Sequence, residues 1–252
     1  MQALFQKPCL SMTTPICLHS GRYDAAIIDL DGTMVDTMGD FVVAINLMLR
    51  DMGYDLVDRA VVALRVGKGS KNLVNSVLDH AAIQSIRAQE APEKTVNLDY
   101  ALGLYQLHYR SINGQHARVY PGVMEGLQAL QKNGLKLACL TNKPSAFARE
   151  LLKLKQLDGF FSHLFGGDSF ERKKPDPLPV LETCKALGTS PARTVMVGDS
   201  SNDAQAARAA GCPVLLVTYG YNHGEPIRSV DADGYIDSLE DVTARLQEPL
   251  AP

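Results

Sequence analysis

The sequence predicts an α/β fold: a parallel, doubly wound sheet with a block of helices inserted straight after its first strand. Three observations carry that prediction. Short apolar runs at residues 25–28, 135–140, 194–197 and 214–217 are bounded by polar or glycine residues, as strands buried on both faces are. From Tyr120 onward such runs alternate with helix-length segments, which calls for parallel strands joined by helical crossovers. Between residues 38 and 118 the alternation stops and the chain reads as helix. The α/β core is therefore expected from residues 21–37 and 118–252, with the helical insertion over 38–117.

In chain order, residues 1–20 are interrupted by Pro8 and Pro15 and show no periodicity, which reads as a loose N-terminal extension. The first strand covers residues 25–28. An amphipathic helix follows over 38–52, with Phe41, Ala44, Ile45, Met48 and Leu49 on one face and Gly53 as its stop. Asp58 can cap a short helix through Leu64, and further helices are expected over 70–80 and 95–109, with 88–94 as a connecting loop around Pro92. Tyr120-Pro121-Gly122 marks the return to the core. A helix over 123–132 ends at Asn133-Gly134, and the strand at 135–140 ends in Thr141-Asn142-Lys143-Pro144. Helix 145–153, with Thr141 or Asn142 as its cap, leads to a short strand at 163–165. A loop over 170–177 enters a helix closed by Gly188. The strand at 194–197 runs into Gly198-Asp199, the helix at 202–210 stops at Gly211, and strands at 214–217 and 235–236 finish the sheet.

Composition narrows the function. The 252 residues are 46% hydrophobic and 21% charged with a net charge of −3, enough apolar material for a core and no excess of positive charge. No Lys/Arg run suggests a nucleic acid or membrane partner, and no apolar run is long enough to span a bilayer. Five cysteines without a C-x-x-C pair argue against a disulfide framework or zinc site, so a reducing cytoplasmic setting is expected.

Open parallel sheets bind ligands at the carboxyl ends of their strands. Here those ends carry Asp29 and Asp31, then Thr141-Asn142, then Gly198-Asp199, with Asp203 in the following helix and Lys174 in the intervening loop. Period-2 geometry puts Asp29 and Asp31 on one side, where two acids at a buried strand end repel unless a cation or proton is shared. Taken singly, each element has an ordinary reading: a solvated turn, a helix cap, a surface lysine, an acid in a first turn. Taken together, acids, lysine and a hydroxyl at a helix start form a site for phosphoryl transfer assisted by a divalent cation.

Asp29-Leu30-Asp31-Gly32-Thr33, Thr141, Lys174-Pro175 and Gly198-Asp199 with Asp203 resemble, in order, the motifs of the haloacid dehalogenase (HAD) superfamily, and the helical insertion resembles its C1 caps. Within it the chain is similar to the phosphoglycolate phosphatases, through Thr141-Asn142-Lys143-Pro144, Val197-Gly198-Asp199-Ser200 and Thr218-Tyr219-Gly220-Tyr221-Asn222-His223-Gly224-Glu225. It departs from them mildly, at Met34 and His223. The resemblance implies a HAD-like Rossmannoid core and Mg²⁺-dependent hydrolysis of 2-phosphoglycolate through an aspartyl-phosphate. Asp29 is the implied nucleophile and Asp31 the acid/base. Asp29, the Asp31 carbonyl and Asp199 are the implied metal ligands. Thr141, Asn142 and Lys174 bind the phosphoryl group, and Asp203 supports Lys174 or a metal-bound water.

The substrate is expected to be a small phosphorylated metabolite chosen by the helical insertion. The best candidate there is Lys68, in Gly67-Lys68-Gly69-Ser70, whose ammonium suits a substrate carboxylate; Arg65 is a second. Hinges are expected near residues 35–38 and 118–122. Asp31 argues against a dehalogenase, which has no alkoxide to protonate. A phosphatase for a sugar phosphate, such as N-acetylmuramic acid 6-phosphate, shares the whole motif set. A sugar phosphomutase would carry a histidine near Phe41, a phosphonoacetaldehyde hydrolase a lysine before Lys68, and a non-catalytic module would lack a nucleophile or metal ligand.

Overall fold

The central sheet has six parallel strands in the order β5-β4-β1-β6-β7-β8. The computed structural model describes residues 22–87 and 97–247. Among the described residues the order opens with β1 (Ala25–Ile28), then β2 (Val35–Asp36) and four helices: α1 (Met38–Asp51), α2 (Arg59–Ala63), α3 (Ser70–Arg87) and α4 (Leu98–Ile112). The short β3 (Arg118–Val119) brings it back to α5 (Val123–Lys132), β4 (Lys136–Leu140), α6 (Ser145–Leu154) and β5 (His163–Phe165). The chain then crosses to the other side of β1 through α7 (Leu178–Leu187), β6 (Thr194–Gly198), α8 (Ser201–Ala210), β7 (Val214–Val217), β8 (Gly234–Ile236) and α9 (Val242–Gln247). Because β4 and β6 flank β1 on opposite sides, the winding reverses there. Their carboxyl ends diverge into the crevice where doubly wound sheets bind ligands.

Alternate strand residues feed two layers. Ala26, Ile28, Leu137, Cys139, Val195 and Val197 pack under α5, α6 and α9, while Ala25, Ile27, Ala138, Leu140 and Met196 pack under α7 and α8. The helical block has its own apolar cluster, built on Phe41, Ile45, Met48, Val74, Tyr105 and Tyr109, and the core lends it Phe147 of α6 and the partly buried Tyr221. Two polar devices fix the segment by which the block returns to the core. The buried Asp40 carboxylate accepts from Gly114 N at 2.6 Å and His116 N at 2.8 Å, and Lys155 Nζ donates to the Gly114 and Ala117 carbonyls.

Several expectations are corrected. Helix α3 runs to Arg87 instead of stopping at His80, since nothing after Ala81-Ala82 breaks it. Helix α4 starts at Leu98, where the Asn97 side chain accepts from Tyr100 N. Asp58 sits at the start of α2 without a side-chain capping bond. Neither Thr141 nor Asn142 caps α6; Asp168, distant in sequence, accepts from Ser145 N at 2.8 Å. The segments expected to hold the hinges also contain β2 and β3, short strands the sequence did not announce, which pair antiparallel and tie the two crossings together. Strands of two residues have no readable period. The closing helix α9 was also not expected. The extension at 1–20 and the loop at 88–94 lie outside the described residues.

Candidate active site

Asp29 continues β1 by donating its N–H to Val197 O at 2.9 Å, so its side chain emerges at the mouth of the sheet. The chain then folds back tightly, with Met34 N and Val35 N both donating to Leu30 O. Gly32 makes this turn possible at φ +85°, and an added Cβ there would lie 1.9 Å from Asp199 Oδ2. This turn thus brings the β1 loop against the acid at the end of β6. The Thr33 hydroxyl beside it is buried without a hydrogen-bond partner among the described residues.

Lys174 sits under the acids as a buried counter-charge. Its Nζ donates to Asp203 Oδ1 at 2.6 Å and Leu140 O at 2.8 Å, and lies 2.9 Å from Asp29 Oδ1. That last contact is an ion pair by distance whose angles fall short of a hydrogen bond. Both Asp203 oxygens are engaged: Oδ1 holds Lys174, and Oδ2 accepts from the Ser200 hydroxyl at 2.8 Å in a capping box that starts α8. Asp199 Oδ2 accepts from Tyr221 N at 2.6 Å. Burial, reinforced by the Asp203 charge and opposed by Lys174, pushes the Asp29 carboxyl up to about 7. Burial followed by the charges of Asp203 and Asp29 likewise raises Asp199. For Lys174 burial pulls downward, but the two carboxylates outweigh it and hold the ammonium charged.

Asp31 has different surroundings. Its Oδ1 accepts from Thr37 Oγ1 at 2.8 Å and Lys143 Nζ at 3.0 Å. The two acids of one turn therefore divide, Asp29 toward Lys174 and Asp31 toward Lys143. Asp29, Asp199 and Asp203 each offer a carboxylate oxygen within 4.8 Å of one another, an all-oxygen set of the kind a hard divalent cation such as Mg²⁺ takes. The Asp31 carboxylate is not part of that set.

A family model for haloacid dehalogenase-like hydrolases matches residues 23–211, which contain every strand end just described. The chain belongs to this family. Among HAD relatives, a phosphoglycolate phosphatase of Thiobacillus denitrificans is 40% identical over 215 residues, covering 85% of this chain and 92% of the relative. A plasmid-encoded phosphoglycolate phosphatase of Cupriavidus necator is 44% identical over 222 residues, 88% of this chain and 92% of the relative. The crystal structure of a predicted phosphoglycolate phosphatase from Haemophilus somnus matches this HAD fold with a TM-score of 0.83 at 32% identity, covering 89% of this chain and 98% of that one.

In this HAD hydrolase a cavity of about 40 Å³ lies between the strand ends and the helical block. Asp29, Asp31, Thr141, Asn142, Lys174, Asp199 and Asp203 all line it. Thr141 is buried, its Oγ1 accepting from Lys143 N at 3.2 Å. Asn142 has a different job from the one expected. Its amide donates to Gly67 O at 3.0 Å and Lys174 O at 2.8 Å, so both hydrogens hold protein and neither is left for phosphate.

Two expectations within the helical block are corrected. Lys68 is exposed, and the cavity wall takes its neighbours Gly67, Gly69 and Ser70 instead. Arg65 is spent inside the block on the Val61 and Ser76 carbonyls. Lys143, in the same stretch as Thr141 and Asn142, is the residue sequence reasoning passed over: it lines the cavity and is buried. A lysine at a strand's carboxyl end, one place before the proline that leads into a helix, was the available signal. The loop that leaves β7 holds the site through three of its residues. Tyr219 donates to Thr33 O at 2.9 Å, Tyr221 holds Asp199 through its N–H and Asp36 through its hydroxyl, and Asn222 accepts from Ser201 N.

Proposed function

We propose that this HAD hydrolase removes phosphate from 2-phosphoglycolate to give glycolate, through a phosphoryl group held transiently on Asp29. The enzyme is a phosphoric monoester hydrolase. The observation that carries the mechanism is the division of the two acids: Asp29 beside Lys174 and the acid cluster, Asp31 beside Thr37 and Lys143. Asp29 attacks phosphorus in line, and the bond to the leaving oxygen breaks as Asp31 protonates it. Asp31 then takes a proton from the water that cleaves the aspartyl-phosphate. Thr141 and Lys174 bind the phosphoryl oxygens, with Asp203 fixing the Lys174 ammonium. Mg²⁺ held by Asp29, Asp199 and the Asp31 carbonyl would screen nucleophile from phosphate and offset the repulsion that raises the acids.

Residues 38–117 act in this reading as a cap on the core of 21–37 and 118–252, closing about the β2–β3 ribbon to exclude water. Relatives named as phosphoglycolate phosphatases, at 40% and 44% identity, support this substrate. Cys139, Cys184 and Cys212, all buried free thiols, suit a reducing cytoplasm.

The test is turnover with Mg²⁺ of 2-phosphoglycolate, a panel of sugar phosphates and p-nitrophenyl phosphate. A sugar phosphate preferred by orders of magnitude would remove the substrate assignment. Asp29→Asn, assayed at once to exclude deamidation, should lose on the order of 10⁴-fold or more in kcat; near-full activity would remove the mechanism.

A further inference from the structure

We infer that Lys143 reads the carboxylate of the substrate, making it the residue that selects a short acidic phosphate ester. The inference deepens the phosphatase reading and rests on it for the position of the leaving oxygen. That oxygen has to meet Asp31, the acid that protonates it. In a phosphoglycolate-like ester the carboxylate carbon is two bonds beyond the oxygen. Lys143 Nζ lies 3.0 Å from Asp31 Oδ1, next to where that carboxylate falls.

Only two cationic side chains line the cavity among the described residues, Lys143 and Lys174. Lys174 is committed on the phosphoryl side, to Asp29, Asp203 and the Leu140 carbonyl. A second anionic group on the substrate therefore has one cation to find. Lys68, the sequence candidate for this task, is exposed and outside the lining.

The site around Lys143 is built. Its side chain is 3% exposed and its Nζ donates to the Tyr109 hydroxyl. The ammonium lies 4.6 Å from the centre of the Tyr109 ring and 4.9 Å from that of Phe41. Tyr109 in turn packs on Phe41 at 5.7 Å and on Phe147 at 5.1 Å between ring centres. The rings fix the ammonium at low conformational freedom and low dielectric, where a charge-assisted bond is strong. They also wall off the space behind it, which limits the length of the acid. Since Lys143 comes from the core while Phe41 and Tyr109 come from the helical block, the reader is complete only when the two are in contact.

The decisive experiment compares wild type, Lys143→Met and Lys143→Arg, with Mg²⁺, on 2-phosphoglycolate and on 2-hydroxyethyl phosphate, which lacks the carboxylate. Lys143→Met should lower the ratio of the two kcat/KM values by about 100-fold, chiefly through KM, and Lys143→Arg should recover most of it. An equal loss on both esters, or an unchanged ratio, overturns the inference; an equal loss would mean that Lys143 acts by positioning Asp31.

Calorimetric binding of 3-phosphonopropionate against propylphosphonate separates this from the substrate assignment. Wild type should prefer the carboxylate-bearing phosphonate and Lys143→Met should not. If that preference holds while a different ester is turned over far better, the substrate assignment fails and the role of Lys143 stands. If wild type shows no preference, the inference fails whatever the substrate.

Discussion

The floor and the roof of the cavity are held by different forces. The floor is the set of strand ends, where Asp29, Asp199, Asp203 and Lys174 are nearly sealed from solvent and their geometry is set by charge. The roof is an apolar helical cluster joined to the floor by the β2–β3 ribbon, by Lys155, which holds the Gly114 and Ala117 carbonyls, and by a few neutral hydrogen bonds to Gly67. Charge stored in a rigid, buried sheet suits bond-making, because it costs no reorganisation at the moment of reaction. Weak neutral bonds suit a lid, because they can break and re-form. Removing a floor residue should therefore cost both activity and stability, and removing a roof contact should cost mainly binding.

The sharpest test of that contrast is Lys174→Met. It leaves Asp29 and Asp203 buried without their shared cation, which should cost about 3–5 kcal/mol of stability. For a chain of this size that is roughly 10 °C in melting temperature. Activity should fall on the order of 10³-fold, since the phosphoryl contact proposed for Lys174 is lost as well. Lys143→Met should melt closer to wild type, because it strands one acid, which keeps its bond to Thr37, whereas Lys174→Met strands two. Equal thermal losses in the two variants would mean that the buried Lys174 cluster holds the floor together no more than the Lys143–Asp31 pair does.

A smaller effect comes from the acids themselves. Asp29 has a folded value of about 7, raised by burial, so the folded state binds more protons than the unfolded one between about pH 4 and pH 7. The Asp29 contribution to the stability of the metal-free protein is then fully present below that window and is lost as pH rises through it. Between about pH 5 and pH 8 the metal-free protein should lose on the order of 5 °C, and the loss should shrink in Asp29→Asn. Mg²⁺ should stabilise more at the higher pH, where it binds ionised carboxylates without displacing protons. Thermal melts with and without Mg²⁺ decide it. A metal-free melting temperature that rises across the window in wild type and Asp29→Asn alike would show that Asp29 is not the group responsible.

Much of the floor could be read from the sequence because buried parallel strands announce themselves by composition, and their ends are where polar residues first appear. Val214–Val217, His163–Phe165 and Val123–Lys132 stand where the pattern put them. The roof's helices were legible, but not what they touch. Lys143 and Asp31 are 112 residues apart, and the aromatic rings that hold Lys143 come from two helices on a different hydrophobic cluster. No local period encodes such a meeting. Lys68 failed as a candidate for the same reason: a glycine-flanked lysine signals a flexible turn, and only packing decides which side of the turn faces the cavity. Asn142 looked like a phosphate ligand because it follows Thr141, yet it closes the gap between floor and roof.

That gap offers the mildest perturbation. Gly67 O accepts from Asn142 Nδ2 at 3.0 Å and from Asn202 Nδ2 at 3.3 Å, and His223 Nε2 is 3.2 Å from the same Asn202 amide. Burial, aided by the Lys68 charge, lowers the His223 value and keeps the ring neutral near physiological pH, as an acceptor from Asn202 must be. Asn202→Ala removes one long bond to the roof and leaves the Asn142 bond in place. A neutral hydrogen bond is worth about 0.5–1.5 kcal/mol, so KM should rise roughly 3- to 10-fold. The melting temperature should change by no more than about 2 °C, because neither hydrophobic cluster is touched. Asn142→Ala should have the larger effect of the two, since its amide also holds the Lys174 carbonyl in the floor. If Asn202→Ala instead lowered kcat on the scale of Lys174→Met, the grip on Gly67 would belong to the catalytic floor, and the roof would have no separate fastening of its own.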